Sequence, residues 1–375
     1  MNLFKKNIFF YLYVSLLILT NILILNNFFI DYTFRNTNFS DLQWFPSVLF
    51  SQNIDVYKLF YENKLQDLTF RSSFPNYSTV SIYIHLIISK MSFENAVKIW
   101  FLLFNLIMIY LYRVLKNKTD LKEIHIFLIL IFFIFSKPYM QLLSSGQFSI
   151  ISFFAFFLYF FFKKEKKFIG YFLISIKYSF LPIILIYDLI RYKRLTFFIF
   201  TLILSLIFVL HYTIYFGSNF FDNLVAPLLI GKATSASGVL DLQTLLGNFP
   251  NNDFLRYVLI FIIGTLAIII IYKYTNREII FDLSICSLLT LLIFKHLYYD
   301  FVLLLPVLIY SIVKTKKFVK ILIILIIFYF WFLYLNVYSI PFLYSKIFQM
   351  INFVILSFLL FAIVFTNLKK PKYKN

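Results

Sequence analysis

LTFFIFTLILSLIFVLHYTIYF, residues 195–216, contains no Asp, Glu, Lys or Arg. It runs apolar from end to end, with no alternation of polar and apolar positions. A helix of about 20 such residues crosses a hydrocarbon core of about 30 Å. A barrel strand would instead show a two-residue period. The run therefore predicts a membrane-crossing α-helix, and comparable runs recur at 8–30, 254–274 and 347–366.

The whole chain reads the same way. Its 375 residues are 62% hydrophobic and 14% charged, against roughly 45–50% and 25% in soluble domains. So little polar surface cannot cover so much apolar surface, which excludes a soluble globular enzyme. The expected fold is all-α, a polytopic transmembrane bundle of about twelve helices forming a single domain over residues 1–375.

Lys and Arg number 35 and Asp and Glu 16, a formal charge of +19. Most of the cations lie in short clusters between apolar runs, at 5–6, 113–122, 163–167, 191–194, 273–277, 314–320 and 369–374. That is the positive-inside pattern, so these clusters and both termini are assigned to the cytoplasm. Nucleic acid is not expected as a partner, because no extramembrane region could house a binding domain. Asp31, Asp41, Asp55, Glu62, Asp67 and Glu94 fall in or beside an external loop at 31–77, and Asp222, Asp241 and Asp253 in a smaller one at 216–253. The single cysteine, Cys286, excludes an intrachain disulfide. The 53 phenylalanines, with abundant Ile, Lys and Asn, point to an AT-rich, bacterial source and a plasma-membrane location.

Within the first loop, DLQWFPSVLFSQ and DVYKLFYENKL predict short interfacial helices. Residues 78–89 are too few to cross and read as a half-crossing. Ser92 is an N-cap candidate with Glu94 in the first turn. Spans are expected near 124–142 and 147–162, joined by SSGQ, and then at 195–216, 254–274, 279–294, 299–313, 318–337 and 346–366. The run 168–190 has basic clusters at both ends. It therefore predicts a broken hairpin bent near Ser179–Pro182, so that both clusters stay on one side.

Four places carry candidate chemistry. Asp41 opens the first interfacial helix and could act as a general base or simply cap that helix. Lys177 lies mid-run, where a lysine needs a counter-charge or a wet cavity; a lipid phosphate would serve, and so would snorkelling to an interface. KHLYYD, 295–300, crowds His296, Tyr298 and Asp300 at a helix boundary, as a site or as part of an aromatic belt. If that segment is helical, His296 and Asp300 share a face. Gln147 begins a helix whose free amides could hold an anion or only close a turn. His85, His125 and His211 have no spacing partners. With 7 glycines in the chain there is no phosphate-cradling loop, and no metal-ligand cluster is evident, so neither nucleotide cofactor nor metal is expected.

Taken together, DLQWFPSVLFSQNIDVY (41–57), FPNYSTVSIYIHLI (74–87), SSGQFSIISFFAFFLYFF (144–161), GYFLISIKYSFLPIILIYDLIRYKR (170–194) and KHLYYDFVLLLPVL (295–308) resemble glycosyltransferase family 87, the polyprenol-phosphate-mannose-dependent mannosyltransferases. The second stretch keeps Tyr77 but lacks the family's two prolines. The resemblance implies a GT-C architecture and a donor sugar, mannose in the family, carried on polyprenyl phosphate. It implies an inverting displacement onto a lipid or glycan acceptor at the external face. It gives Asp41 the role of catalytic base, Lys177, Gln147 and His296 that of binding the donor phosphate, and Tyr298 and Asp300 that of supporting the donor pocket. A flippase for lipid-linked sugars is the alternative, with Lys177 as its phosphate site. A polymerase of the O-antigen type would call for more external arginines than Arg35, Arg71 and Arg256.

Overall fold

A computed structural model describes residues 7–35, 44–64, 75–234, 241–246, 253–276, 278–294, 296–333 and 346–368. Among these the chain is all-α, with no named strand. It begins with α1 (Ile8–Arg35), α2 (Trp44–Ser51), α3 (Val56–Tyr61), α4 (Val80–Ser89) and α5 (Phe93–Lys118). There follow α6 (Glu123–Ile134), α7 (Lys137–Ser144), α8 (Ser149–Phe161), α9 (Lys164–Ser175) and α10 (Leu181–Tyr192). Next come α11 (Thr196–Phe216), α12 (Phe220–Thr234), α13 (Leu242–Leu246), α14 (Asp253–Tyr274) and α15 (Ile279–Ile293). A 3-10 helix (Tyr298–Leu304) leads into α16 (Leu305–Lys314), then α17 (Lys317–Phe328) with a π-turn (Tyr329–Leu333), and finally α18 (Lys346–Thr366).

Five described helices have the length and apolarity to cross a membrane: α1, α5, α11, α14 and α18. The pair α6 and α7 meets the same test taken together but is bent by 60°, as a broken span or a re-entrant loop is. The protein is a polytopic helical membrane protein. Two further segments expected as crossings form short helices: α8 has 13 residues and α15 has 15. The bend between α6 and α7 has a local cause. Phe135 and Ser136 leave the helix, and the Ser136 side chain then caps α7 by accepting from the Tyr139 amide at 3.3 Å, with Pro138 in the first turn.

Short helices at membrane depth expose their backbone ends, and lipid cannot satisfy them. Irregular backbone there persists only where it is buried in protein or lines a wet cavity. The long helices accordingly wrap the short ones. Asn21 of α1 donates to Asn105 of α5 at 3.0 Å and accepts from the Tyr139 hydroxyl of α7 at 3.2 Å. Trp331 in the π-turn donates to the Phe301 carbonyl of the 3-10 helix at 2.9 Å. The expected interfacial helices are α2 and α3. Ser47 of α2 donates to the Ile82 carbonyl of the half-crossing α4 at 2.8 Å, and Asp55 caps α3 by accepting from the amides of Tyr57 and Lys58. Ser92 occupies the N-cap of α5, but its side chain makes no capping bond.

The broken hairpin is present. α9 and α10 have 12 residues each, about 18 Å, and are separated by the non-helical turn Ile176–Phe180. Both basic ends return to one place: the Lys167 ammonium lies 4.1 Å from the centre of the Tyr192 ring. α8 runs antiparallel beside α9 in very close contact. A Cβ at Gly170 would come within 2.7 Å of the Tyr159 nitrogen and 2.8 Å of the Ala155 oxygen, so only glycine lets these backbones meet.

Candidate functional site

The turn of the hairpin carries Lys177. The Phe180 amide donates to the Lys177 carbonyl at 3.0 Å, and Pro182 starts α10 with its fixed φ. With the basic mouth at one interface, an arm of about 18 Å ends more than halfway through a core of about 30 Å. The ammonium is only 12% exposed and reaches Asp300, which is fully buried, at 2.5 Å. Lys177 is therefore paired and does not snorkel.

The rest of the shell comes from three other elements. Lys177 also donates to the Ser149 hydroxyl at the start of α8, at 2.6 Å. Its charge lies 4.6 Å from the Phe180 ring centre and 5.1 Å from that of Tyr299, within the range of cation–π attraction. The second oxygen of Asp300 accepts from the Leu297 amide at 3.1 Å, which fixes the carboxylate to the head of the 3-10 helix. Gly146, at φ +65, closes the link before α8. Beside it the Gln147 carbonyl oxygen accepts from the Tyr77 hydroxyl at 2.8 Å. The Ser78 amide, next in the chain to Tyr77, donates to the Ile176 carbonyl at 3.2 Å, so the 75–79 segment is stitched to the lysine turn. Tyr57 reaches the same segment by sharing a hydrogen bond with Thr79 at 3.1 Å; burial pushes its phenol above the ordinary range.

His296 is buried beside this group. Its Nδ1 lies 3.1 Å from the Phe294 carbonyl and 3.8 Å from an oxygen of Asp241, also fully buried. Its Nε2 and the Tyr298 hydroxyl are buried and have no hydrogen-bond partner among the described residues. The expected shared helix face is absent: His296 precedes the helical turn, and the segment from Tyr298 is 3-10 rather than α.

Lys177 and Asp300 thus come into direct contact, with Gln147 and His296 close around them. Tyr298 is nearby, but the ring that meets the lysine belongs to its neighbour Tyr299. Asp41 lies outside the described residues. Sequence reasoning missed Ser149, which looked like any small residue in an apolar run. It also left Asp241 as a mere external acid, although its spacing to Thr244 is a capping signal; both its oxygens accept from Thr244.

A second ionic centre, also missed, sits at the opposite end of the same short helices. Asp188 of α10 accepts from the Tyr159 hydroxyl of α8. Asp282 of α15 accepts from Tyr187 at 2.8 Å and lies 3.9 Å from the Arg191 guanidinium. Both carboxylates are buried. Between the two centres lie Phe153, Phe156, Ile174, Ile183 and Ile184, all fully buried. Aspartates within apolar runs, as in LIYDLI and IIFDLS, were the available signal.

Among the described residues no group of three or more His, Cys, Asp or Glu side chains is arranged to hold a metal. The chemistry on offer is polar and cationic: the Lys177 ammonium and the Gln147 amide, at the closed end of short helices. Comparison with family models, curated proteins and solved structures gives no match to this chain. What fold and site define together is a class, a polytopic helical membrane protein with a buried lysine–aspartate centre.

Proposed function

We propose that this protein is a membrane glycosyltransferase that moves a sugar, mannose by the resemblance above, from a polyprenyl-phosphate carrier to a lipid or glycan acceptor at the external face. The observation that carries this reading is Lys177, a charged group in a helix break deep in the bundle. Ionisable residues in such places mark substrate paths.

Lys177 has three N–H donors. Asp300 and Ser149 accept from its ammonium, and a donor phosphate entering the site competes with them for that charge. Asp300 keeps the lysine charged and placed while the donor is absent. On transfer the sugar–phosphate bond breaks, and the leaving phosphate gains negative charge beside Lys177 and the Gln147 amide, where fixed donors stabilise it. Asp41 takes the proton of the attacking hydroxyl. Positive-inside orientation puts the basic hairpin mouth in the cytoplasm, and hence the lysine turn toward the outer leaflet.

The alternative, a flippase for lipid-linked sugars, needs a polar route across the bilayer. The apolar layer between the two ionic centres weighs against it. The deciding assay is transfer of label from radiolabelled polyprenyl-phosphate-mannose in membranes carrying wild type, Lys177→Met or Asp41→Asn. Label entering a lipid or polymer fraction with wild type alone supports the reading. Label crossing to the other leaflet with no new glycosidic bond overturns it in favour of transport.

A further inference from the structure

The hairpin mouth gathers cations that the centre at Lys177 does not use. Lys163 and Lys166 stand at the start of α9, Lys193 and Arg194 between α10 and α11, and all four are exposed. None forms an ion pair with a carboxylate among the described side chains, whereas Lys116 on neighbouring α5 is already taken by Glu123. Lys193 adopts φ +50, a tight left-handed turn that sets α11 directly beside the hairpin.

Aromatic rings hold the neighbouring cations in place and so gather the four at one mouth. Lys166 and Lys118 lie 4.8 and 5.6 Å from the centre of the same ring, Phe162. Lys167 is held between Tyr159 at 4.4 Å and Tyr192 at 4.1 Å, so the Lys163/Lys166 and Lys193/Arg194 pairs flank one fixed cation. Below them α9 and α11 touch through Phe168 and Phe200, ring centres 5.4 Å apart. Ile169, Leu195, Ile199 and Phe200 there are exposed and apolar.

We infer that this mouth is a binding site for an anionic phospholipid whose head group carries two phosphates, as cardiolipin does. One cation pair meets each phosphate, and the acyl chains lie along the apolar strip between α9 and α11. Basic pockets between membrane helices bind such head groups, each cation near the surface contributing about 1 kcal/mol. The site is independent of the proposed transferase activity.

The test is the thermal unfolding midpoint of the full-length protein in neutral detergent, titrated with cardiolipin. Phosphatidylglycerol at equal phosphate and phosphatidylcholine serve as comparisons. Wild type is expected to gain stability with cardiolipin at the lowest concentration. K163Q/K166Q/K193Q/R194Q is expected to need on the order of a thousandfold more, with its lipid-free midpoint little changed because these side chains are exposed. K90Q/K98Q/K316Q/K317Q, which removes four exposed lysines elsewhere, is expected to behave as wild type. An equal response to phosphatidylglycerol overturns the two-phosphate assignment. An equal loss in the second variant, or full retention in the first, overturns the site.

Discussion

The centre at Lys177 and the centre at Asp188 and Asp282 stand at opposite ends of the same short helices, and both are ionic groups buried in a membrane bundle. Their bonding differs. At the first, the ammonium is spread over Asp300 and Ser149, while nearby Nε2 of His296 and the Tyr298 hydroxyl have no hydrogen-bond partner among the described residues. At the second, the Tyr159 and Tyr187 hydroxyls donate into the carboxylates, and Arg191 faces Asp282. Its tyrosine–aspartate bonds link α8 to α10 and α10 to α15. The first centre gathers a cation, an imidazole and a phenol around a helix break, and the second ties helices together. A buried charge in a membrane protein is thus a prompt to count its unused donors and acceptors before assigning it a role.

The sharpest way to break this contrast is to remove Lys177. Lys177→Met leaves Asp300 buried without its cation, an expected cost of about 3–5 kcal/mol, and transfer is expected to fall at least about a hundredfold. Adding Asp300→Leu is expected to recover most of the stability, because a matched apolar pair can replace a buried ion pair, but none of the transfer. Thermal midpoints and initial rates on the single and double variants decide it. If transfer returns with stability, Lys177 is only structural.

Gly170→Ala probes the contact that both centres share. The added methyl meets the backbone at Tyr159 and Ala155 first and the Leu158 Cβ just beyond, so an overpacking cost of about 1–3 kcal/mol is expected. α8 and α9 then separate, displacing Ser149 from Lys177 as well as Tyr159 from Asp188. Unfolding in detergent measures the first effect and the transfer rate the second; a variant with wild-type midpoint refutes the close approach.

Tyr159→Phe strips the second centre of one donor. An expected loss of about 1–3 kcal/mol follows from leaving the Asp188 oxygen unsatisfied, with transfer per folded molecule unchanged. A fall in rate at full folding would make the second centre functional and erase the contrast. Tyr77→Phe has the smallest expected effect, about 0.5–1.5 kcal/mol for one hydrogen bond, seen as a weaker apparent affinity for the donor rather than as loss of fold.

Much of this architecture was legible in the sequence, because its signals are local. Apolar run lengths gave the helices α1, α5, α11, α14 and α18, and the basic clusters on either side of 168–190 gave the hairpin. Lys177 stood out because charge in an apolar run is costly. The partners of that lysine were less accessible. Asp300 is 123 residues away, and nothing in KHLYYD tells which of its groups turns inward or that the segment winds as 3-10. Ser149, Tyr159 and Asp188 were hidden for a related reason: a hydroxyl in an apolar run carries no pattern until the neighbouring helix is in place. Hydropathy measures apolar length and says nothing of where a helix stops, so the shortness of α8 and α15 was not legible in their apolar runs.

The shortness of the hairpin arms also constrains how the protein is made. A segment leaves the insertion machinery for lipid on its own when it offers about 20 apolar residues, and α9 and α10 offer 12 each, the first opening with four charged side chains in Lys164–Lys167. Neither arm can partition alone, so the pair enters together, against an α8 already in place. It becomes secure only when α15 arrives, some ninety residues of synthesis later, to bring Asp282 to Tyr187. Biogenesis therefore depends on the chain holding an unfinished hairpin through the making of α11 to α14, the stage at which a chaperone or a stalled ribosome would find it.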